Sequence, residues 1–156
     1  MQGEPTENDF KLMQRAVQLA LQAESNGNLP IGAVITLGNE IVAEGLNSIL
    51  VPEFNPSKHA EMNALDAVPV QLWARAREMT CYSTLEPCCM CFGRLLLSGI
   101  GNIVFGAHDL QGGSICLTPH LPSYYSPQNS PKWLGPIMPE VCNLLFERAK
   151  ARYNEL

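Results

Sequence analysis

The first regular hydrophobic pattern lies in residues 8–25, where apolar side chains recur at steps of three and four. Its members are Phe10, Met13, Ala16, Val17, Ala20 and Leu21. Because a helix brings such positions onto one side, the pattern predicts an amphipathic helix with a single apolar stripe. The Asn26-Gly27 pair that follows is typical of a helix end.

Two β-rich runs follow this helix, Ile31–Leu37 and Glu40–Leu46, and only Gly38-Asn39 separates them. A two-residue turn of this composition joins antiparallel strands, so the runs are predicted to form a hairpin. Residues 47–57 contain two prolines and two asparagines and predict a loop. A short helix is then predicted from about Lys58 through Leu65.

The middle of the chain has the order strand, helix, strand. Residues 79–84 form a β-rich run, residues 88–98 follow Pro87 and end at Gly99, and residues 102–107 form a second β-rich run. Proline at a first-turn position and glycine after the last turn are typical helix boundaries. The order predicts a parallel pair of strands with a right-handed crossover.

The segment 112–139 has almost no periodicity and contains six prolines. It predicts an ordered surface loop, and residues 140–153 predict a C-terminal helix. A loop of this length in a compact domain is usually functional or a linker. Its aromatic residues either stack on a ligand or, more simply, pin the loop to the domain; they are Tyr124, Tyr125 and Trp133.

Composition narrows the class of protein. The 156 residues are 46% hydrophobic and 16% charged, which predicts one globular domain over residues 1–156 and excludes a disordered chain. The net charge of −5 supplies no general basic field for a polyanion. Residues 1–6 lack the features of a signal peptide, and no apolar run is long enough to cross a membrane. We therefore expect a cytoplasmic protein with no membrane partner.

Reduced cysteines are expected in that compartment, and three of the six lie within four positions of one another. Cys88 and Cys91 would share one face at the start of the predicted helix, whereas Cys89 would be turned about 100° away. His59 can supply a third ligand from the preceding helix, which gives the Cys₂His set of a catalytic zinc site. Glu61, two residues after His59, is close enough to exchange a proton with a water there.

Two simpler interpretations of the cysteine pair remain open. A Cys-x-x-Cys pair alone is most often a structural zinc site or a redox pair. A closed structural site would need a fourth ligand from Cys81, Cys116 or Cys142. None of these has metal-like spacing, and each is more simply explained as a small buried hydrophobic residue.

His-x-E followed by Pro-Cys-x-x-Cys is the signature of zinc nucleobase deaminases. The chain resembles the cytidine deaminase superfamily in this signature and in further ordered segments, and the most similar branch is that of tRNA adenosine deaminases and bacterial guanine deaminases. The matching segments are NLPIGA at 28–33, EGLN at 44–47, HAEMNAL at 59–65, TLEPCCMC at 84–91 and IVFGAHD at 103–109.

The resemblance implies a three-layer α/β/α fold with a central mixed sheet of about five strands. It makes His59, Cys88 and Cys91 the ligands of one Zn²⁺ and Glu61 the general acid and base. It also implies a set of substrate contacts, namely the Asn47 side chain, the Ala60 N–H, a carbonyl of Leu85 or Glu86, and Asp109. Relatives are commonly dimers, so a homodimer is expected.

The substrate is the least determined part of this interpretation. Charge favours a small amino-substituted nucleobase or nucleoside, such as guanine or adenine, with segment 112–139 expected to cover the pocket mouth. The alternative is the wobble adenosine of tRNA, which would become inosine. His108 stands where tRNA deaminases generally have arginine, which weakens that alternative. A non-enzymatic zinc-binding module is a second alternative, but it would not need Glu61.

Overall fold

The computed structural model describes residues 3–126 and 128–156. Met1, Gln2 and Pro127, which belong to segments singled out above, lie outside the described residues. The helices are α1 (Glu7–Ser25), α2 (Ala60–Asp66), α3 (Cys89–Ser98) and α4 (Pro139–Tyr153). The strands are β1 (Gly32–Leu37), β2 (Glu40–Leu46), β3 (Met79–Leu85), β4 (Asn102–Ala107) and β5 (Lys132–Leu134).

The five strands form one mixed sheet in the order β2-β1-β3-β4-β5. The predicted hairpin is confirmed, because β1 and β2 pair antiparallel with Leu37 opposite Glu40. The predicted parallel crossover is confirmed as well, since β3 and β4 pair parallel around the connecting helix α3. Strand β1 also pairs antiparallel with β3, so β3 lies at the centre of the sheet.

Helices cover both faces of this sheet, which confirms the expected three-layer fold. On one face α1 and α4 pack against a cluster that includes Met13, Val34 and Cys142. On the other face α2 and α3 pack against a cluster that includes Leu65, Phe92 and Ile103. The alternation of buried side chains along each central strand explains why neighbouring residues belong to different clusters.

Two glycines allow helices to lie directly on strand backbone. A Cβ at Gly45 in β2 would be 2.2 Å from the Ala60 carbonyl oxygen and 2.3 Å from the Ala64 nitrogen of α2. A Cβ at Gly106 in β4 would be 2.2 Å from the Cys142 sulfur of α4. Because any side chain at these positions would occupy the helix itself, the absence of a Cβ sets the depth at which α2 and α4 pack.

The segment 112–139 is more regular than its composition predicts. It contains a 3₁₀ helix at Ile115–His120 and, near its end, β5. Trp133 of β5 is buried against Phe92, with ring centroids 5.1 Å apart, and Tyr125 also packs on this cluster. The Trp133 ring therefore anchors the segment to the domain core. The Tyr124 ring is exposed.

Several element boundaries differ from the sequence prediction by one or two residues, and a further 3₁₀ segment is not predicted. Helix α2 begins at Ala60 rather than near Lys58, α3 begins at Cys89 rather than Cys88, and α4 begins one residue earlier than 140. Residues Val70–Glu78 form a kinked 3₁₀ segment before β3. Among the described residues, none of the helices has the length and apolar character to cross a membrane.

Candidate active site

His59 and Cys88 lie at the starts of α2 and α3, which pack on the same face of the sheet. Each is the residue immediately before its helix, with extended backbone, and its carbonyl accepts the first helical hydrogen bond. The Asn63 amide donates to the His59 carbonyl at 3.0 Å, and the Phe92 amide donates to the Cys88 carbonyl at 2.9 Å. The helices thus fix the backbone from which both side chains project.

The three predicted metal ligands come together. The His59 Nδ1 atom lies 3.6 Å from the Cys88 sulfur and 3.6 Å from the Cys91 sulfur. Tetrahedral zinc with Zn–N of about 2.0 Å and Zn–S of about 2.3 Å separates nitrogen and sulfur ligands by roughly 3.6 Å. The donor set and its spacing therefore fit zinc, and three protein ligands leave a fourth position open.

The pKa values of His59, Cys88 and Cys91 are shifted by the contacts among these three residues. A hydrogen bond from the Cys91 thiol is the main reason that the pKa of Cys88 falls to about 4, and His59 contributes as a further partner. The same contact with Cys88 raises the pKa of Cys91. The hydrogen bond with Cys88 also raises the pKa of His59. A bound cation would take the place of the shared protons, because metal ligands must be deprotonated.

Glu61 lies directly beside the trio, as the sequence predicts. Its Oε2 atom is 3.4 Å from the Cys91 sulfur, and its Oε1 atom accepts a hydrogen bond of 2.8 Å from the Ser83 hydroxyl. The side chain is only 3% exposed. Burial raises the pKa of Glu61, although the Ser83 hydrogen bond opposes this effect. A carboxyl group with a raised pKa next to an open metal position can both accept and return a proton.

Ser83 is a site residue that the sequence reasoning missed. It is fully buried in β3, where Tyr82 belongs to the cluster on the opposite face. Ser83 therefore faces α2 and α3 together with Cys81. A serine at a core-facing strand position is unusual enough to have served as a signal, because a buried hydroxyl requires a partner.

The predicted base-contacting residue Asn47 lies at the end of β2 and is buried. Its backbone amide donates to the Ile31 carbonyl at 3.0 Å, and its Oδ1 accepts from the Ile49 amide at 3.2 Å. Asn63 fixes both neighbours of Asn47, because its Nδ2 donates to the Leu46 carbonyl at 2.8 Å and to the Ser48 hydroxyl at 3.0 Å. The position of Asn47 is therefore well determined, and its contact with a base stays a prediction.

The remaining predicted substrate contacts surround the same end of the sheet. Ala60 is the first residue of α2 and Leu85 is the last residue of β3. Asp109 follows β4, and its Oδ1 accepts hydrogen bonds from the Gln111 amide at 3.1 Å and the Gly112 amide at 2.9 Å. In this structure the Asp109 carboxylate therefore closes a turn, and its contact with a substrate also stays a prediction.

The buried carboxylate of Glu86 joins two parts of the site. Its Oε1 accepts from the Ile115 amide at 3.0 Å, and its Oε2 accepts from the Asp109 amide at 3.1 Å and lies 3.1 Å from His108 Nδ1. Since Glu86 precedes Pro87-Cys88, these bonds tie the loop after β4 to the strand end that carries a metal ligand. From the sequence a carbonyl of Leu85 or Glu86 is the predicted contact, and the role of the Glu86 side chain becomes visible only in the fold.

The other cysteines do not join the metal cluster. Among the residues that the structure describes, the one group with metal-binding geometry is His59, Cys88 and Cys91. Cys81 and Cys142 are buried, as packing residues should be. The expectation that Cys116 is also a buried hydrophobic residue is wrong, because it is exposed on the 3₁₀ helix that follows Ser114.

The chain is similar to known deaminases in sequence and in fold. It is 37% identical over 141 residues to a tRNA-specific adenosine deaminase of Haemophilus influenzae, which covers 88% of this chain and 80% of that protein. It is 42% identical over 107 residues to the tRNA-specific adenosine deaminase of Bacillus subtilis, covering 67% and 65% of the two chains.

A guanine deaminase from Nitrosomonas europaea has the same fold, with a TM-score of 0.73 at 18% identity over 96% of this chain and 87% of that one. Residues 6–107 match the model of the cytidine and deoxycytidylate deaminase zinc-binding region. This matched region contains all three candidate zinc ligands and Glu61. The chain therefore belongs to the cytidine and deoxycytidylate deaminase family.

Proposed function

We propose that this protein is a zinc-dependent hydrolytic deaminase that converts the wobble adenosine of a tRNA to inosine. The deaminase chemistry is supported by the buried Glu61 carboxylate, which lies 3.4 Å from a candidate zinc ligand. The choice of adenosine in tRNA is supported by the relatives of 37% and 42% identity, both tRNA-specific adenosine deaminases. Likeness to the guanine deaminase, at 18% identity, supports the fold alone.

Zinc held by His59, Cys88 and Cys91 would supply a polarised water as the nucleophile for the amino-bearing ring carbon. Glu61 takes a proton from that water and delivers it to the adjacent ring nitrogen. A carbon–oxygen bond forms at the ring carbon, the carbon–nitrogen bond to the amino group breaks, and the group leaves as ammonia with a proton returned through Glu61. Water and adenosine are consumed, and inosine and ammonia are produced.

Ser83 has a definite part in this scheme. Its hydroxyl holds one Glu61 oxygen at 2.8 Å, which leaves the other oxygen on the side of the metal ligands. This hydrogen bond orients the carboxylate and lowers its pKa, while burial, which is the larger effect, raises it. The proton is thereby kept available for transfer in both directions.

Recognition of the base would use groups already fixed by the fold. The Asn47 side chain, the Ala60 N–H and a carbonyl at Leu85 or Glu86 would contact the ring and its amino group. Each belongs to the end of β2, the start of α2 or the end of β3. Because these elements are packed together, the base pocket would be formed before the substrate arrives.

A free purine such as guanine is the second candidate substrate, and one observation favours it. The chain carries a net charge of −5, and eight of its ten lysines and arginines are paired with carboxylates. Proteins that hold RNA usually direct several unpaired cations at phosphates. This candidate would also act on a carbon that bears an exocyclic amino group, with Glu61 in the same role.

Ammonia release and inosine formation from an anticodon stem-loop with adenosine at the wobble position test the proposal. The zinc-loaded protein would be compared on this RNA, on the same RNA with guanosine there, and on free guanine, adenine and adenosine. We expect inosine from the first RNA, and Glu61→Gln should lower that turnover at least 1,000-fold while retaining zinc. Turnover of free guanine and of no RNA would show that the substrate is a free purine rather than tRNA. Full activity of Glu61→Gln would contradict the mechanism.

A further inference from the structure

The cations of this protein are almost all neutralised. Of the ten lysines and arginines, eight form an ion pair with an aspartate or glutamate. Within the described residues, the two cations with no carboxylate partner are Arg77 and Lys132. They are 55 positions apart in the sequence, one in the 3₁₀ segment before β3 and the other at the start of β5.

These two cations line the same cavity. The cavity has a volume of about 680 Å³, and we call it the distal cavity. No carboxylate is among its described lining residues. Its other polar lining residues carry hydroxyl or amide groups, and they are Asn102, Thr118, Gln128 and Ser130. A volume of this size is in the usual range for a site that holds a small molecule.

The fold fixes Arg77 at the cavity wall. Its Nη1 donates to the Asn129 carbonyl at 2.8 Å, and its Nη2 donates to the Gln128 carbonyl at 3.1 Å. A guanidinium group has five N–H donors, so three remain for a ligand. Because the two carbonyls are neutral, Arg77 is held in place while its positive charge is not cancelled by a carboxylate.

Lys132 is anchored through its backbone instead. Its amide donates to the Gly101 carbonyl at 3.0 Å, while its side chain is exposed. The same side chain borders a smaller cavity of about 230 Å³ together with Asp9. The Asp9 carboxylate is already engaged by the Tyr82 hydroxyl at 2.6 Å and the Thr6 amide at 2.7 Å. Asp9 therefore has other partners, and the Lys132 ammonium keeps its donors free.

The distal cavity and the candidate active site lie at opposite ends of the sheet. Cys88 follows the end of β3, whereas Arg77 precedes its start and Asn102 begins the parallel strand β4. Seven residues of extended strand cover roughly 20 Å. A ligand in the distal cavity would accordingly be separate from the base that Glu61 acts on.

We propose that the distal cavity binds a phosphate group through Arg77 and Lys132. Two cations without carboxylate partners, one of them a fork with free donors, match the charge and geometry of a phosphate. The neighbouring hydroxyl and amide groups can hydrogen-bond the remaining oxygens. The phosphate could belong to a free mononucleotide or to the backbone of an RNA, and the same two side chains would hold it in either case.

Direct binding to the full-length, zinc-loaded protein tests this assignment. Inorganic phosphate, AMP and an RNA stem-loop would be titrated by calorimetry against wild type, Lys132→Met and Arg75→Met. We expect Lys132→Met to weaken binding roughly tenfold or more, since it removes a charged hydrogen-bonding group. Arg75→Met is the matched control, because Arg75 is exposed two residues from Arg77 but paired with Glu78. It should leave affinity within twofold of wild type.

Arg77→Lys and Arg77→Ala complete the series. Arg77→Lys keeps the charge and should bind more tightly than Arg77→Ala, and melting curves would show whether loss of the carbonyl contacts unfolds the segment. The Lys132 side chain has no carboxylate partner among the described residues of the fold, so Lys132→Met tests binding even if the Arg77 variants unfold.

Binding of phosphate and AMP would identify a free nucleotide as the source of the phosphate. Binding of RNA alone, with a salt slope reduced by about one in Lys132→Met, would identify a polynucleotide. Equal binding by wild type and Lys132→Met, or no binding of any probe, would overturn the proposal.

Discussion

At the scale of single residues, the two oxygens of Glu61 have different surroundings. One accepts a hydrogen bond from Ser83 at 2.8 Å, and the other lies 3.4 Å from the Cys91 sulfur. A carboxylate fixed at one oxygen loses little freedom when the other begins to exchange protons. Ser83 is therefore a positioning residue, and its contribution should be visible in turnover rather than in metal binding.

Ser83→Ala should lower kcat roughly tenfold while leaving the zinc content and the KM near their wild-type values. The expected size corresponds to the loss of one hydrogen bond to a charged group. Cys81→Ala is the matched control, because Cys81 is buried two residues earlier in the same strand and has no hydrogen bond to Glu61. Its kcat should not change. An unchanged kcat in Ser83→Ala would show that Glu61 needs no such support.

Glu86→Gln tests the second buried carboxylate. Glu86 accepts from the backbone amides of Ile115 and Asp109 at separate oxygens, and a glutamine can accept at only one of them. The free energy of unfolding should fall by about 1–3 kcal/mol in urea titrations, because one partly buried amide loses its acceptor. The exposed Glu53→Gln is the control and should change stability by less than about 0.5 kcal/mol. Equal stability of the two variants would contradict the assigned contacts.

The sequence predicts some of these residues and not others for a physical reason. His59, Glu61, Cys88 and Cys91 can be identified because their spacing within each helix start is local. The partnership of Ser83 with Glu61 spans 22 positions and depends on how β3 packs against α2. Such a contact leaves no local pattern, so it becomes visible only when the fold is known.

At the scale of elements, periodicity predicts α1, the β1–β2 hairpin and the β3–α3–β4 crossover, since each carries its own hydrophobic pattern. Strand β5 does not, because it is three residues long and follows a proline-rich run. It is a strand because Lys132–Leu134 pair with Asn102–Val104 of β4. Its conformation is thus imposed by the neighbouring edge rather than by its own sequence.

Gly45→Ala should displace α2 and with it the metal ligand before its first turn. The added Cβ would lie 2.2 Å from the Ala60 carbonyl oxygen, a position that backbone atoms cannot share. We expect a loss of at least about 2 kcal/mol in stability, as for other overpacked cores, together with weaker zinc retention in metal analysis. Retention of wild-type stability and zinc would show that α2 can shift without cost.

Gly93→Ala is the control for that variant. Gly93 lies inside α3, and a Cβ there meets nothing within 4 Å. Because alanine favours a helix more than glycine does, this substitution should raise stability by up to about 1 kcal/mol. If thermal unfolding shows that Gly45→Ala lowers stability and Gly93→Ala raises it, the loss at Gly45 is due to close packing and not to the change from glycine to alanine as such.

At the scale of the whole molecule, the net charge of −5 is a poor guide to where charge is available. The sum alone favours a small substrate over an RNA, but it does not say where single cations lie. Ion pairing adds what the sum leaves out, because eight cations are neutralised locally, whereas Arg77 and Lys132 have no carboxylate partner among the described residues and line one cavity. A whole-chain charge cannot report this distribution, which depends on contacts between distant segments.

Segment 112–139 also contacts both ends of the sheet. Gly113 pairs with Cys88, and the Ser114 amide donates to the Pro87 carbonyl at 3.1 Å. By Lys132 the chain has reached the start of β4, at the opposite end of the sheet. By the end of the segment the chain has returned toward the other end of β4, where the Ile137 amide donates to the Phe105 carbonyl at 2.9 Å. That the segment covers the pocket mouth stays a prediction.

Removal of zinc should affect both activity and global stability. The imidazole lies at the start of α2 and the two thiols at the start of α3, so a cation that binds them joins these two helices. A chelator should abolish deamination and lower Tm by at least several degrees, because ligand binding to the folded state adds to its stability. Added zinc should restore both, and Cys116→Ser should respond as wild type does. An unchanged Tm would contradict this prediction.

The close packing at Gly45 and Gly106 affects how the results of a mutational scan should be interpreted. In a saturation scan that records only whether cells retain activity, every replacement at these glycines should be depleted as strongly as replacements of His59 or Glu61. The glycines take part in no chemistry, and their depletion would reflect the distance between a helix and a strand. Separating the glycines from Glu61 requires a protein-abundance measurement beside the activity measurement, since the glycine variants should lose folded protein whereas the Glu61 variants should keep it.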